Sequence, residues 1–151
     1  EGMNMDEENI IHALEKLHWN IPYFIQILFS KLRDNYTGAV SKEDIDTAYG
    51  QLCSESYLNT WSERLAEYRE MERPARLILN GLSARRSGLR RETLLGILMT
   101  GQYPSNAGET DLLLSKVLEM LENDGYLLRK GPVRSFRSPL LRDYWYGKFV
   151  Q

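Results

Sequence analysis

Apolar residues recur at helical spacing along almost the whole chain, and a hairpin signal interrupts them once, around Gly131-Pro132 near the end. That order, a long helical run and then one late hairpin, restricts the chain to a mainly α fold with a small β element. Asp6 to Leu17 places Ile10, Ile11, Leu14 and Leu17 on one helical face, and His18-Trp19-Asn20 breaks it. A second helix is expected near Pro22, since proline suits a first helical turn whose N–H groups have no intrahelical partner. Its face is Ile21, Phe24, Ile25, Leu28 and Leu32, but Tyr23, Ile27 and Phe29 make the other faces apolar too. Such a helix is either a central core helix or one that meets a neighbour. After Thr37-Gly38, Ser41 to Asp44 has the form of a capping box ahead of Ile45, Ala48, Tyr49 and Leu52. A fourth helix is expected over about 55–69, with Leu58, Trp61, Leu65 and Tyr68 inward. Residues 1–70 thus read as a four-helix bundle without strands.

The second half repeats the helical pattern before the hairpin. Pro74 opens a helix with Ala75, Leu77, Ile78 and Leu82 apolar, and a basic turn at Arg85-Arg86-Ser87-Gly88 follows. A short helix then spans about 91–99, with Leu94, Leu95 and Leu98 as its buried residues. After a loop over 101–108, a helix capped by Thr110 carries Leu114, Val117, Leu118 and Leu121. Gly125 stands where a left-handed C-cap belongs. Strands at 126–129 and 133–137 flank Gly131-Pro132. Three helices and a hairpin are the order of a winged helix-turn-helix over 71–151. Ser138-Pro139 then caps a closing helix whose stripe is Leu140, Leu141, Tyr144 and Trp145. Its aromatics read first as packing and second as a stacking platform for nucleic acid.

Charge divides at the same place. Residues 1–72 hold six Lys/Arg against fourteen Asp/Glu, net −8, and residues 73–151 hold thirteen against seven, net +6. The cations cluster on the first turn (Arg85, Arg86, Arg90, Arg91) and on the hairpin (Arg129, Lys130, Arg134, Arg137), which makes these eight the candidate contact residues for a partner or for phosphates. A recognition helix presents its N-terminal residues to bases, and here these are Glu109, Thr110 and Asp111. Like charge against phosphate disfavours sequence reading, so a protein partner is expected, with weak or non-specific nucleic-acid contact second.

No catalytic or metal motif is present: there is no GxxxxGK[ST], GxSxG or HExxH run, and His12 and His18 lack ligand-type neighbours. Cys53 is the one cysteine, expected to be a small buried apolar residue in a chain from a reducing, cytoplasmic compartment. The polar, acidic opening EGMNMDEEN does not read as a signal peptide, and no apolar run is long enough to span a membrane.

Two stretches together resemble a known family. His18-Trp19-Asn20-Ile21-Pro22-Tyr23-Phe24-Ile25-Gln26 resembles the G-x-P-Y-(F/L)-(I/L)-Q segment that opens a lid helix in bacterial and archaeal AAA+ (STAND-type) P-loop ATPases. Arg134-Ser135-Phe136-Arg137-Ser138-Pro139-Leu140-Leu141-Arg142-Asp143-Tyr144-Trp145, preceded by Asn123-Asp124-Gly125-Tyr126-Leu127, resembles the ending of the winged-helix domains that close such proteins. The resemblance implies a C-terminal fragment, a helical lid plus a winged helix, whose P-loop domain lies upstream. It implies no cofactor held by this chain, ATP or ADP with Mg for the full-length protein, and an approach of Pro22 to the nucleotide. The family glycine before that proline is replaced here by Asn20-Ile21, and no sensor arginine adjoins Pro22. The rival expectation is a winged-helix transcription regulator with a helical dimerisation region.

Overall fold

Asp6 opens the first helix as a short acidic residue should, its carboxylate accepting the Asn9 N–H at 2.8 Å. In the computed structural model, which describes residues 2–18, 21–54, 56–101 and 106–151, this helix is α1, Glu7–Leu17. Ahead of it β1 (Met3–Asn4) pairs in parallel with β2 (Gly38–Ala39), Met3 opposite Gly38. This two-residue pairing corrects the expectation of a strand-free first half. Gly38 permits it by adopting φ +79. Between the two strands lies α2 (Pro22–Asn35), with Pro22 in its first turn and Phe24, Leu28 and Leu32 buried against the following helix. That helix, α3 (Lys42–Cys53), carries the expected capping box: Ser41 Oγ accepts the Asp44 N–H, and the Asp44 carboxylate accepts the Ser41 N–H at 2.9 Å.

The fourth helix is not continuous. A 3-10 turn (Ser56–Leu58) leads into α4 (Asn59–Arg64), and a 3-10 segment (Leu65–Met71) follows, with Arg69 at φ 54. At the transition the Ser62 carbonyl accepts Arg76 Nη2 at 3.0 Å, an outside donor where α geometry gives way to a tighter turn. Leu58, Leu65 and Tyr68 are buried all the same. The expected start of this helix at Glu55, the break at Trp19-Asn20 and the loop at Gln102–Ser105 lie outside the described residues.

In the second half α5 (Glu72–Ser83) begins two residues before Pro74 and buries Ala75, Ile78, Leu79 and Leu82, whereas Leu77 is only half-buried. A short strand, β3 (Leu89–Arg90), precedes α6 (Arg91–Thr100), and α7 (Ala107–Asn123) follows. The cap of α7 is Asn106, whose Oδ1 accepts the Glu109 N–H at 3.0 Å, and Thr110 is buried within the first turn. The hairpin is β4 (Leu127–Lys130) and β5 (Val133–Phe136), Leu128 opposite Ser135. β3 pairs antiparallel with β5, so the sheet order is β3-β5-β4. The chain is therefore mainly helical with a small antiparallel sheet.

The closing helix α8 (Pro139–Phe149) starts at Ser138, whose Oγ accepts the Leu141 N–H at 3.3 Å. It packs on α5 from the second half and on α1 and α3 from the first. Trp145 is fully buried there and donates Nε1–H to Asn80 Oδ1 at 2.8 Å. Phe149 lies against it, ring centroids 4.7 Å apart. One connected cluster of buried apolar residues runs through both halves. Among the described residues no helix is long and apolar enough to cross a membrane.

Candidate partner-contact surface and cleft

The eight cations singled out in the sequence separate into three groups. Arg91, in the first turn of α6, is an internal clamp: its guanidinium bonds the Asp111 carboxylate at 2.9 Å, the Asp111 carbonyl at 3.0 Å and Ser115 Oγ at 2.7 Å. Arg134 in β5 is buried and pairs with Glu122 of α7 at 3.2 Å. Both tie α7 to its neighbours. Arg85, Arg90 and Arg129 are exposed on the first turn, β3 and β4, with Arg129 Nε bonding the Gly131 carbonyl at 3.3 Å across the hairpin end.

The remaining three meet in one place. Arg86, Lys130 and Arg137 line a cleft of about 410 Å³ between the hairpin, the start of α8 and the end of α1. Lys16 of α1 and Arg142 of α8 line it too, with Glu15, Tyr49 and Asp143. No sequence spacing joins Lys16 to Arg142; they meet because α8 lies against α1. Arg142 bonds Asp143 Oδ1 through Nε at 2.9 Å and Nη2 at 2.6 Å, and Tyr49 donates to the other Asp143 oxygen at 3.1 Å. Lys16 also pairs with Asp46 at 3.1 Å.

Asp46 accepts His12 Nε2 at 2.8 Å as well, and these partners, His12 first, hold its carboxyl below the ordinary aspartate value. Burial raises the Tyr49 phenol, and the adjacent Asp143 carboxylate adds to the rise. Burial likewise pushes the Cys53 thiol up to about 12, with Asp143 the next cause, so the thiol stays protonated at neutral pH. Tyr49, Lys16 and Arg142 are thus engaged by carboxylates, and the exposed Arg86 and Lys130 are the cations of this cleft that can hold an anion.

Pro22 lies apart from the cleft, exposed in the first turn of α2. Beside it Tyr23 is half exposed, and a shallow depression of about 600 Å³ runs along the outer face of α2 past Ile27, Lys31 and Asp34. The outer face of α7 exposes Glu109, Leu112, Lys116 and Glu119. Among the described residues no group of three or more His, Cys, Asp or Glu side chains is placed to hold a metal ion.

No protein-family model matches this chain, and no curated protein matches it. The functional reading therefore rests on the residues themselves.

Proposed function

We propose that the chain is the C-terminal regulatory and interaction part of a cytoplasmic P-loop ATPase of the AAA+ (STAND) type, with residues 1–70 as a helical lid and 71–151 as a winged helix. One observation carries the reading. Helix α8, which begins at the Ser138-Pro139 motif, packs on α1 and α3 as well as on α5. A shift of the first half is then a shift of the second half, which is what coupling nucleotide state to a partner requires. Support for the winged helix comes from the order α5, β3, α6, α7, β4, β5 and from the sheet order β3-β5-β4. ATP or ADP with Mg would be held by the P-loop domain of the longer protein. In this chain Pro22 offers only an apolar ring in a first helical turn, and no step of hydrolysis is assigned to it.

The partner is a protein, met through the exposed cations of the first turn and hairpin. The outer face of α7, where a DNA reader presents cations, carries Glu109 and Glu119. The test is the coding sequence upstream of Glu1: a GxxxxGK[ST] run in the same reading frame is expected, and a complete gene without one overturns the proposal.

A second reading, a DNA-binding regulator, draws on the exposed Arg85, Arg90, Arg129 and Lys130. A mobility-shift titration separates the two: sequence-selective binding that survives competitor DNA favours the regulator, and weak binding lost with salt favours the ATPase module.

A further inference from the structure

We propose that the cleft between α1, α8 and the hairpin binds a small organic phosphate. This goes beyond the regulatory role above and does not depend on it. Three separate chain segments bring Lys16, Arg86, Lys130, Arg137 and Arg142 to one cavity, against two carboxylates, Glu15 and Asp143. Asp143 is already engaged by Tyr49 and Arg142, and Lys16 is already paired with Asp46, so Arg86 and Lys130 supply the binding charge. Arg86 and Lys130 are exposed and form no ion pair among the described residues. Gathering cations this way costs mutual repulsion, which a multiply charged anion removes. A phosphate monoester carries about −1.5 to −2 at neutral pH and three acceptor oxygens, and guanidinium forks match that geometry.

Size and lining narrow the class. At about 410 Å³ the cavity lies toward the small end of ligand pockets, which suits a small molecule and not a duplex or a folded partner. Its apolar wall of Leu128, Phe136 and Pro139 gives an organic group a surface beside the cations. An acidic peptide would bring one charge per carboxylate and a backbone to thread through a short cavity.

The test is calorimetric titration of the full chain with phenyl phosphate and with inorganic pyrophosphate in about 150 mM chloride, where long-range attraction is screened. Saturable one-site binding is expected. Arg86→Gln with Lys130→Gln weakens it at least about tenfold, as loss of two charge-assisted contacts should. Arg85→Gln with Arg129→Gln removes the same charge outside the cleft and leaves affinity within about twofold. Absence of saturable binding, equal weakening by both pairs, or tighter binding of a poly-glutamate peptide or duplex DNA overturns the proposal. Amide resonances of the wild-type chain give a readout free of any variant: phenyl phosphate shifts Lys16, Leu128 and Ser135, and shifts centred on Arg90 and α6 instead count against it.

Discussion

Tyr49, Tyr68, Tyr126 and Tyr144 each place a phenol on a hydrogen bond between the two halves of the chain. Tyr49 donates to Asp143, Tyr68 to Asp124 at 2.6 Å, Tyr126 to the Trp61 carbonyl and Tyr144 to Asn59 at 2.8 Å. Such residues satisfy a polar tip at the edge of an apolar contact and fix its register. Burial raises the phenols of Tyr49 and Tyr68, and it pushes that of Tyr126 up to about 12, the same level as the Cys53 thiol. The unfolded chain releases these protons from the ordinary thiol and phenol values of 9.0 and 10.0, before the folded chain does. Their contribution is fully present below those values and is lost as pH rises toward about 12. Urea midpoints should therefore fall across that window, and Cys53→Ser should make the fall shallower; a flat alkaline limb would contradict this. Arg134 makes a different residue-scale prediction. Its side chain is 10% exposed and faces Glu122, so Glu122→Ala leaves a guanidinium without its partner. Destabilisation of about 2 kcal/mol is expected, with part of it recovered when Arg134→Met is added, read by a double-mutant cycle in urea.

At the scale of elements, the turn before β3 sets the sheet. Gly88 takes φ +77, and a Cβ there would overlap the Arg134 carbonyl oxygen of β5. Gly88→Ala should cost about 3 kcal/mol, through both the left-handed backbone and the collision, as a drop in thermal midpoint; a neutral effect would mean that β3 does not press on β5. Nothing in Leu89-Arg90 announces a strand, because two residues show no alternation and the pairing partner lies over forty positions on. Met3-Asn4 is likewise too short to show alternation, and its partners Gly38-Ala39 lie 35 positions on. The helices were readable where a cap met a periodic face, as at Ser41 and Ser138. Where α4 gives way to a 3-10 segment after Arg64, the Ser62 carbonyl accepts Arg76 from outside, a contact that no local pattern announces. The cleft shows the same limit. Arg86, Lys130 and Arg137 stand out as local basic clusters, whereas Lys16 and Arg142 come from opposite ends of the chain and belong to the site only through the packing of α8 on α1.

At the scale of the molecule, an acidic half and a basic half share one core, and α8 is the element that spans them. Opposite net charges favour their association over long range, but the apolar stripe of Leu140, Leu141, Tyr144 and Trp145 provides the contact. The proposed transmission of nucleotide state requires that the halves do not separate on the way to a partner. Native-state hydrogen exchange on the 151-residue chain measures this directly through the buried helix amides. The expected result is a common opening free energy for Ile45, Ala48 and Leu52 of α3 and for Ile78, Leu79 and Leu82 of α5, lowered equally in both by Trp145→Ala, by about 3–5 kcal/mol. Opening of α3 at a lower free energy than α5, unmoved by Trp145→Ala, would show two independently unfolding units and contradict the coupling.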